Sequence, residues 1–153
     1  MYTREEASKA RELFWTKFGK YMSPVLSAGG EKVNWINYKT GIQNLAFKMN
    51  ATKAEVYIGI EIMHKDQSQA IKMYELFETL KVDFEAILGE QWTWTPIGFN
   101  QYQQPLSSIS TTKLHVNIFR EGDWPEIISF LKPRLMKLDQ FWYEHKMIFE
   151  MTL

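Results

Sequence analysis

Between positions 55 and 62 the chain alternates with a period of two, Val56, Ile58, Ile60 and Ile62 being apolar while Glu55, Tyr57 and Glu61 fall between them. That period belongs to a strand with one buried face. Leu45, Phe47 and Met49 alternate with Ala46 and Lys48 in the same way just upstream. Asn50-Ala51-Thr52-Lys53 reads as the hairpin connection between the two runs. The spacing predicts Phe47 opposite Val56 and Leu45 opposite Ile58, which keeps both apolar sets on one side and sets Lys48 against Glu55. A sheet that is apolar on one side must be covered, so the rest of the chain has to supply the cover.

Three helical segments are available for that task. Thr3-Arg4-Glu5-Glu6 has the form of a capping box, in which hydroxyl and carboxylate each satisfy a backbone N–H at a helix start. Ala7, Ala10, Phe14, Phe18 and Tyr21 then recur at helical spacing up to Ser23-Pro24, where the residue before proline disfavours helical angles. Leu26-Ser27-Ala28-Gly29-Gly30 reads as a flexible link, followed by a short turn over residues 35–39 with Asn34 as cap and Gly41 as its left-handed stop. Asp66 caps a predicted long helix with the stripe Ala70, Ile71, Tyr74, Phe77, Leu80, Phe84, Ile87 and Leu88, stopped by Gly89. At 1.5 Å per residue that helix would run roughly 33 Å.

Residues 91–97 and 112–120 are strand-like and are joined by a polar stretch containing Gly98, Asn100, Pro105 and three serines. A connection of that length is usually functional or mobile. Asp123-Trp124-Pro125-Glu126 then opens a last helix whose stripe is Ile128, Leu131, Leu135, Leu138, Trp142, His145 and Phe149. Pro133 inside it predicts a kink or two consecutive helices. The order is helix, two strands, helix, two strands, helix, without internal repeats. Paired strands favour an α+β fold, a mainly antiparallel four-stranded sheet packed by long helices within a single domain over residues 1–153.

Composition narrows the chemistry. Forty Leu, Ile, Val and Phe residues suffice for a packed core, and there is no cysteine, so neither disulfides nor thiolate chemistry is available. Eighteen basic and eighteen acidic residues cancel, which argues against a strongly basic nucleic-acid protein. A charged opening and the lack of a long apolar run predict a cytoplasmic protein with no membrane span. Residues 1–53 carry nine Lys or Arg against four Glu, so the N-terminal third is the basic end. A solvated helix face accounts for that asymmetry, and steering of an anionic partner is the alternative.

Reaction machinery is hard to assemble from these residues. His64, His115 and His145 are scattered; Glu61-x-x-His64 has a ligand-like spacing but falls at a strand end, where it does not share a face. No metal and no cofactor is expected, and His145 reads as a hydrogen-bonded core histidine. Glu55 and Glu61 share strand parity yet lie roughly 20 Å apart, too far for paired carboxylate catalysis. The aspartates, Asp66, Asp83, Asp123 and Asp139, fall at helix caps or in helices, which leaves a metal-dependent nuclease site poorly supported. Phosphate-binding loops and nucleophile elbows are missing.

Aromatic content stands out instead, with twenty-three Phe, Tyr and Trp, six of them Trp. Trp92 and Trp94 share one strand face, and His115 lies on a neighbouring strand with Asn117 and Phe119. Exposed, such rings stack bases or sugars or anchor a protein; buried, they fill a core under the helices. Trp35 and the polar turn Asn37-Tyr38-Lys39-Thr40 beside Gly41 form the second cluster. The candidate binding residues are therefore Trp35, Tyr38, Lys39, Trp92, Trp94 and His115.

Phe14-Trp15-x-x-Phe18-Gly19-x-Tyr21, Asn34-Trp35-Ile36-Asn37-Tyr38-Lys39-Thr40-Gly41-Ile42, Asp123-Trp124-Pro125 and Asp139-Gln140-Phe141-Trp142 together resemble the bacterial family catalogued as domain of unknown function 4268. The resemblance covers nearly the whole chain and brings no functional residues with it. Longer relatives that place such a domain after a nuclease-like region imply an accessory role near nucleic acid. The expected function is a non-catalytic binding module, with a protein partner or a second copy of itself as ligand. One alternative is a nucleic-acid-associated accessory domain using Lys32, Lys39, Lys48 and Lys53 for phosphates. Another is an enzyme with an unfamiliar site in which His64 or His115 acts beside Glu61 or Tyr38.

Overall fold

A computed structural model describes residues 2–153. Strands Leu45–Ala51 (β1), Glu55–Ile62 (β2), Thr93–Thr95 (β3) and Ser107–Leu114 (β4) form one antiparallel sheet in the order β1-β2-β4-β3. Helices Arg4–Met22 (α1), Gln67–Thr79 (α2), Lys81–Leu88 (α3) and Trp124–Thr152 (α4) complete an α+β fold in the expected order. Val56, Ile58, Ile60 and Ile62 are buried, as the alternation requires, with α2 and α4 against β2. The opposite face carries Lys48, Asn50, Tyr57, Glu61, Ser108, Ser110 and Thr112, and is exposed at Lys48, Asn50 and Thr112.

Local signals formed as the side chains dictate. Thr3 Oγ1 accepts from Glu6 N–H at 3.1 Å while Glu6 accepts from Thr3 N–H at 3.2 Å, closing the capping box of α1. Asp66 caps α2, and hydrogen bonds from the Ser68 hydroxyl (2.6 Å) and N–H (2.9 Å) hold its carboxyl below the usual range. Asn34 Oδ1 accepts from Asn37 N–H at 3.1 Å, and Gly41 and Gly89 take the left-handed angles expected of them.

The hairpin register differs from expectation. Leu45 faces Ile62, Phe47 faces Ile60 and Ala51 faces Val56, a slip of four residues that leaves Lys48 opposite Gly59 rather than Glu55. A slip of four preserves both faces, so the apolar pattern cannot separate the two pairings. The turn decides, because Thr52 Oγ1 accepts from Ala54 and Glu55 N–H at 3.1 and 3.2 Å and closes the connection tightly.

The long helix predicted after Asp66 is two helices. Leu80, at φ −103° and ψ 11°, separates α2 from α3. The β-branched Thr79 bonds its hydroxyl back to Leu76 C=O at 2.7 Å at the break, and the change of direction lets α3 pack against α4. Pro133 has the opposite outcome: α4 runs unbroken through it for 29 residues. Ile127, Leu131, Leu135 and Leu138 on its core face are almost fully buried, and that tertiary packing outweighs one lost backbone bond.

The second strand pair is also shifted. β3 is confined to three residues, and β4 uses the serines assigned to the connection, Ser107, Ser108 and Ser110. His115 at φ +66° ends it. The apolar alternation at Val116 and Ile118 belongs to a buried loop, fastened by Ile118 N–H to Thr52 C=O at 3.0 Å. Asp123 is not a side-chain cap; it lies in a 3-10 turn and accepts from Asn117 N–H at 2.9 Å.

Candidate functional site

The six residues singled out by sequence do not converge. Trp35 is buried and donates from Nε1 to Val25 C=O at 2.9 Å. Trp92 is buried edge-on to Phe84 and donates to Glu90 at 2.7 Å, while Glu90 takes a two-pronged ion pair from Arg134 at 2.8 and 2.9 Å. Trp94 is half-buried between Tyr74 and Phe84, and its Nε1 is a buried donor with no hydrogen-bond partner among the described residues. His115 is exposed, held by its backbone to Ala54 C=O at 2.9 Å. No exposed Trp92–Trp94 platform therefore exists; these rings fill space beneath α3, where burying their large apolar area is most favourable.

Tyr38 and Lys39 remain together. The Tyr38 hydroxyl donates to the buried Asp139 at 2.6 Å, and its ring stacks on Phe47 at 5.1 Å. Burial first, then the hydrogen bond to Asp139, pushes the phenol well above its usual range. Tyr38, Lys39, Trp15 and Lys48 line a cleft of about 450 Å³ along β1. Lys32 and Lys53 are exposed but outside its wall.

On the open sheet face Tyr57 reaches across Gly59 to Glu61, its hydroxyl donating to the carboxylate at 2.8 Å. Burial and the Glu61 charge raise this phenol too. A Cβ on Gly59 would stand 2.5 Å from the Tyr57 hydroxyl and 2.8 Å from Ser110 Cβ. Gly59→Ala is expected to cost about 2 kcal/mol by overpacking, and a denaturation curve indistinguishable from the parent's would show the ring free to swing aside.

Both phenols also predict an alkaline weakness. Unfolded tyrosine ionises near pH 10, so stability from the raised folded values is complete below that pH and falls above it. The melting temperature should fall progressively as the pH rises above about 10, less steeply in Tyr57→Phe; parallel profiles would contradict the assignment.

The titratable groups named for catalysis sit in separate hydrogen-bond sets. Glu61 is engaged by Tyr57, whereas His64 Nδ1 accepts from Asp66 N–H at 3.0 Å. His145 is a core histidine, stacked on Phe141 and bonded to Phe141 C=O at 2.8 Å. Among the described residues no group of three or more His, Asp or Glu is placed to hold a metal ion, and no helix is long and apolar enough to cross a membrane.

A second cleft, of about 440 Å³, lies between α2 and the segment following β3. Ile71, Ile97 and Phe99 flank it at 56, 83 and 63% exposure. Ile71 was expected in the core stripe of a single long helix; it lies instead on the outer side of α2. Phe99 is presented by a hydrogen-bonded hairpin, in which it bridges Pro105 while Asn100 Oδ1 accepts from Tyr102 and Gln104 N–H at 2.8 and 3.0 Å. The charged groups lining this cleft are Glu75 and Glu78.

The fold is an α+β layer with an apolar cleft beside α2 and with its polar groups dispersed. The chain belongs to the family described as Domain of unknown function (DUF4268), whose profile matches residues 10–146. No curated protein and no solved structure matches it significantly.

Proposed function

We propose that this protein is a non-catalytic interaction module that binds a partner protein in the cleft between α2 and the 98–106 hairpin. The observation that carries this reading is the exposure of Ile71, Ile97 and Phe99 around one concavity. Large apolar side chains gathered in water mark a surface that gains by being covered. The hairpin holds Phe99 in place beforehand, which lowers the ordering cost of binding. With Glu75 and Glu78 at its rim, the cleft fits an amphipathic segment whose apolar face is flanked by basic side chains. The same acids would face each other across a symmetric pair of these clefts, which disfavours a second copy.

The test is a double variant, Ile97→Asp with Phe99→Asp, beside the control Val82→Asp, which alters another exposed apolar residue. Affinity-purified partners identified with the parent should rebind the control and lose at least about ten-fold with the double variant. Stability should stay within roughly 0.5 kcal/mol. Equal retention by all three proteins would end the proposal, and so would a dimer held through this cleft.

A further inference from the structure

β1 is an outer strand, paired with β2 along one side. In an antiparallel ladder the backbone groups of successive residues point alternately to one neighbour and to the other. Met63 N–H bonds to Asn44 C=O at 2.9 Å, and Thr52 N–H to Glu55 C=O at 2.8 Å. Those two bonds set the parity, so even-numbered residues face β2. Phe47 and Met49 turn their N–H and C=O groups outward, and among the described residues no hydrogen bond engages them. Alongside runs the cleft walled by Trp15, Ile36 and Tyr38, with Lys39 and Lys48 as its charged groups and no acid.

An open edge of this kind is a template for another strand. A second copy fits it poorly. Full antiparallel overlap of two β1 strands centres on Lys48 and sets it opposite its own counterpart, in the closer, non-hydrogen-bonded type of pair. Like charges directly opposite are destabilising, and a lysine in an edge strand is a common guard against self-pairing. An acidic residue at that place turns the repulsion into attraction.

The geometry points to β1 as the docking edge for an extended, acidic segment of another protein, added to the sheet as a further strand. Its apolar side chains lie over Trp15 and Tyr38, and its acids lie beside Lys48 and Lys39. This inference is independent of the α2 cleft, and either can fail without the other.

The probe is the peptide acetyl-Thr-Val-Glu-Val-Glu-Val-Thr-amide, with a version carrying Lys for Glu as its opposite, titrated into the full chain and followed by amide NMR. The expected result is slowed hydrogen exchange at Phe47 and Met49, with the Glu peptide binding about ten-fold more tightly than the Lys peptide. Lys48→Glu should reverse that preference. Met49→Pro removes an outward N–H that has no partner in the fold, a substitution edge strands tolerate, and should abolish binding of both peptides while circular dichroism stays unchanged. Equal affinity for the two peptides in the parent, or unprotected amides at Phe47 and Met49, would overturn the inference. So would a dimer in sedimentation that Met49→Pro dissolves, since the edge would then belong to a second copy.

Discussion

Phe77→Ala is expected to cost about 4 kcal/mol, the largest loss foreseen for a single truncation in this chain. Phe77 projects from α2 and is fully buried. Its ring centroid lies 4.6 Å from Phe149, 6.2 Å from Phe141 and 6.4 Å from Trp142, all on α4. Removing the ring deletes its transfer free energy and leaves a cavity among rigid aromatic neighbours, which cannot collapse far to refill it. Phe77→Leu retains most of the volume and should cost under about 1.5 kcal/mol. Denaturant titration of the three proteins measures this. A loss below about 2 kcal/mol for Phe77→Ala would mean the α2–α4 interface repacks and is not the keystone assigned to it.

Asp139→Ala is expected to cost about 3 kcal/mol by a different route. Asp139 lies on α4 at 4% exposure, and its two carboxylate oxygens accept from the Tyr38 hydroxyl at 2.6 Å and from Ala28 N–H at 2.7 Å. Those bonds, with Trp142 Nε1 donating to Thr40 C=O at 2.8 Å, fasten the loop between α1 and β1 to the last helix. Alanine leaves the half-buried Tyr38 hydroxyl and the Ala28 N–H without their acceptor. Tyr38→Phe removes one donor and should cost about 1 kcal/mol, and the double variant should lose less than the two singles added together. Strict additivity would show that the two side chains do not act as a pair. The same fastening holds Tyr38 in the wall of the β1 cleft, so hydrogen exchange at Ala28 should rise in Asp139→Ala.

Tyr38 and Lys39 were legible as a polar turn because Asn34 and Gly41 bracket them, yet the cleft they share with β1 was not, since it depends on how far the hairpin slips. Ile71 was read into the helical stripe, but it stands about 100° round the helix from Ala70, and Ala70, Met73, Tyr74 and Phe77 take the buried face of α2. Phe99 was lost in a stretch read as polar, although Asn100 and Pro105 on either side are the residues that build its hairpin. The tryptophans illustrate the converse. Their number was plain, but a large ring serves equally in a core or on a platform, and Trp35, Trp92 and Trp142 were placed by hydrogen bonds to Val25, Glu90 and Thr40.

The amino-acid order alone determined which segments are helix or strand in most of the chain, which side chains face inward on β1, β2 and most of α4, where α1 starts and stops, where α2 starts and where α3 stops. Caps and periodicity act between residues a few positions apart, so they can be read from neighbours. Tertiary structure decided the hairpin register, the division of α2 from α3, the continuity of α4 through Pro133 and the clefts on either side of the sheet. Each of those choices leaves the local pattern intact and is settled by packing between elements distant in the chain, which no short window of sequence contains.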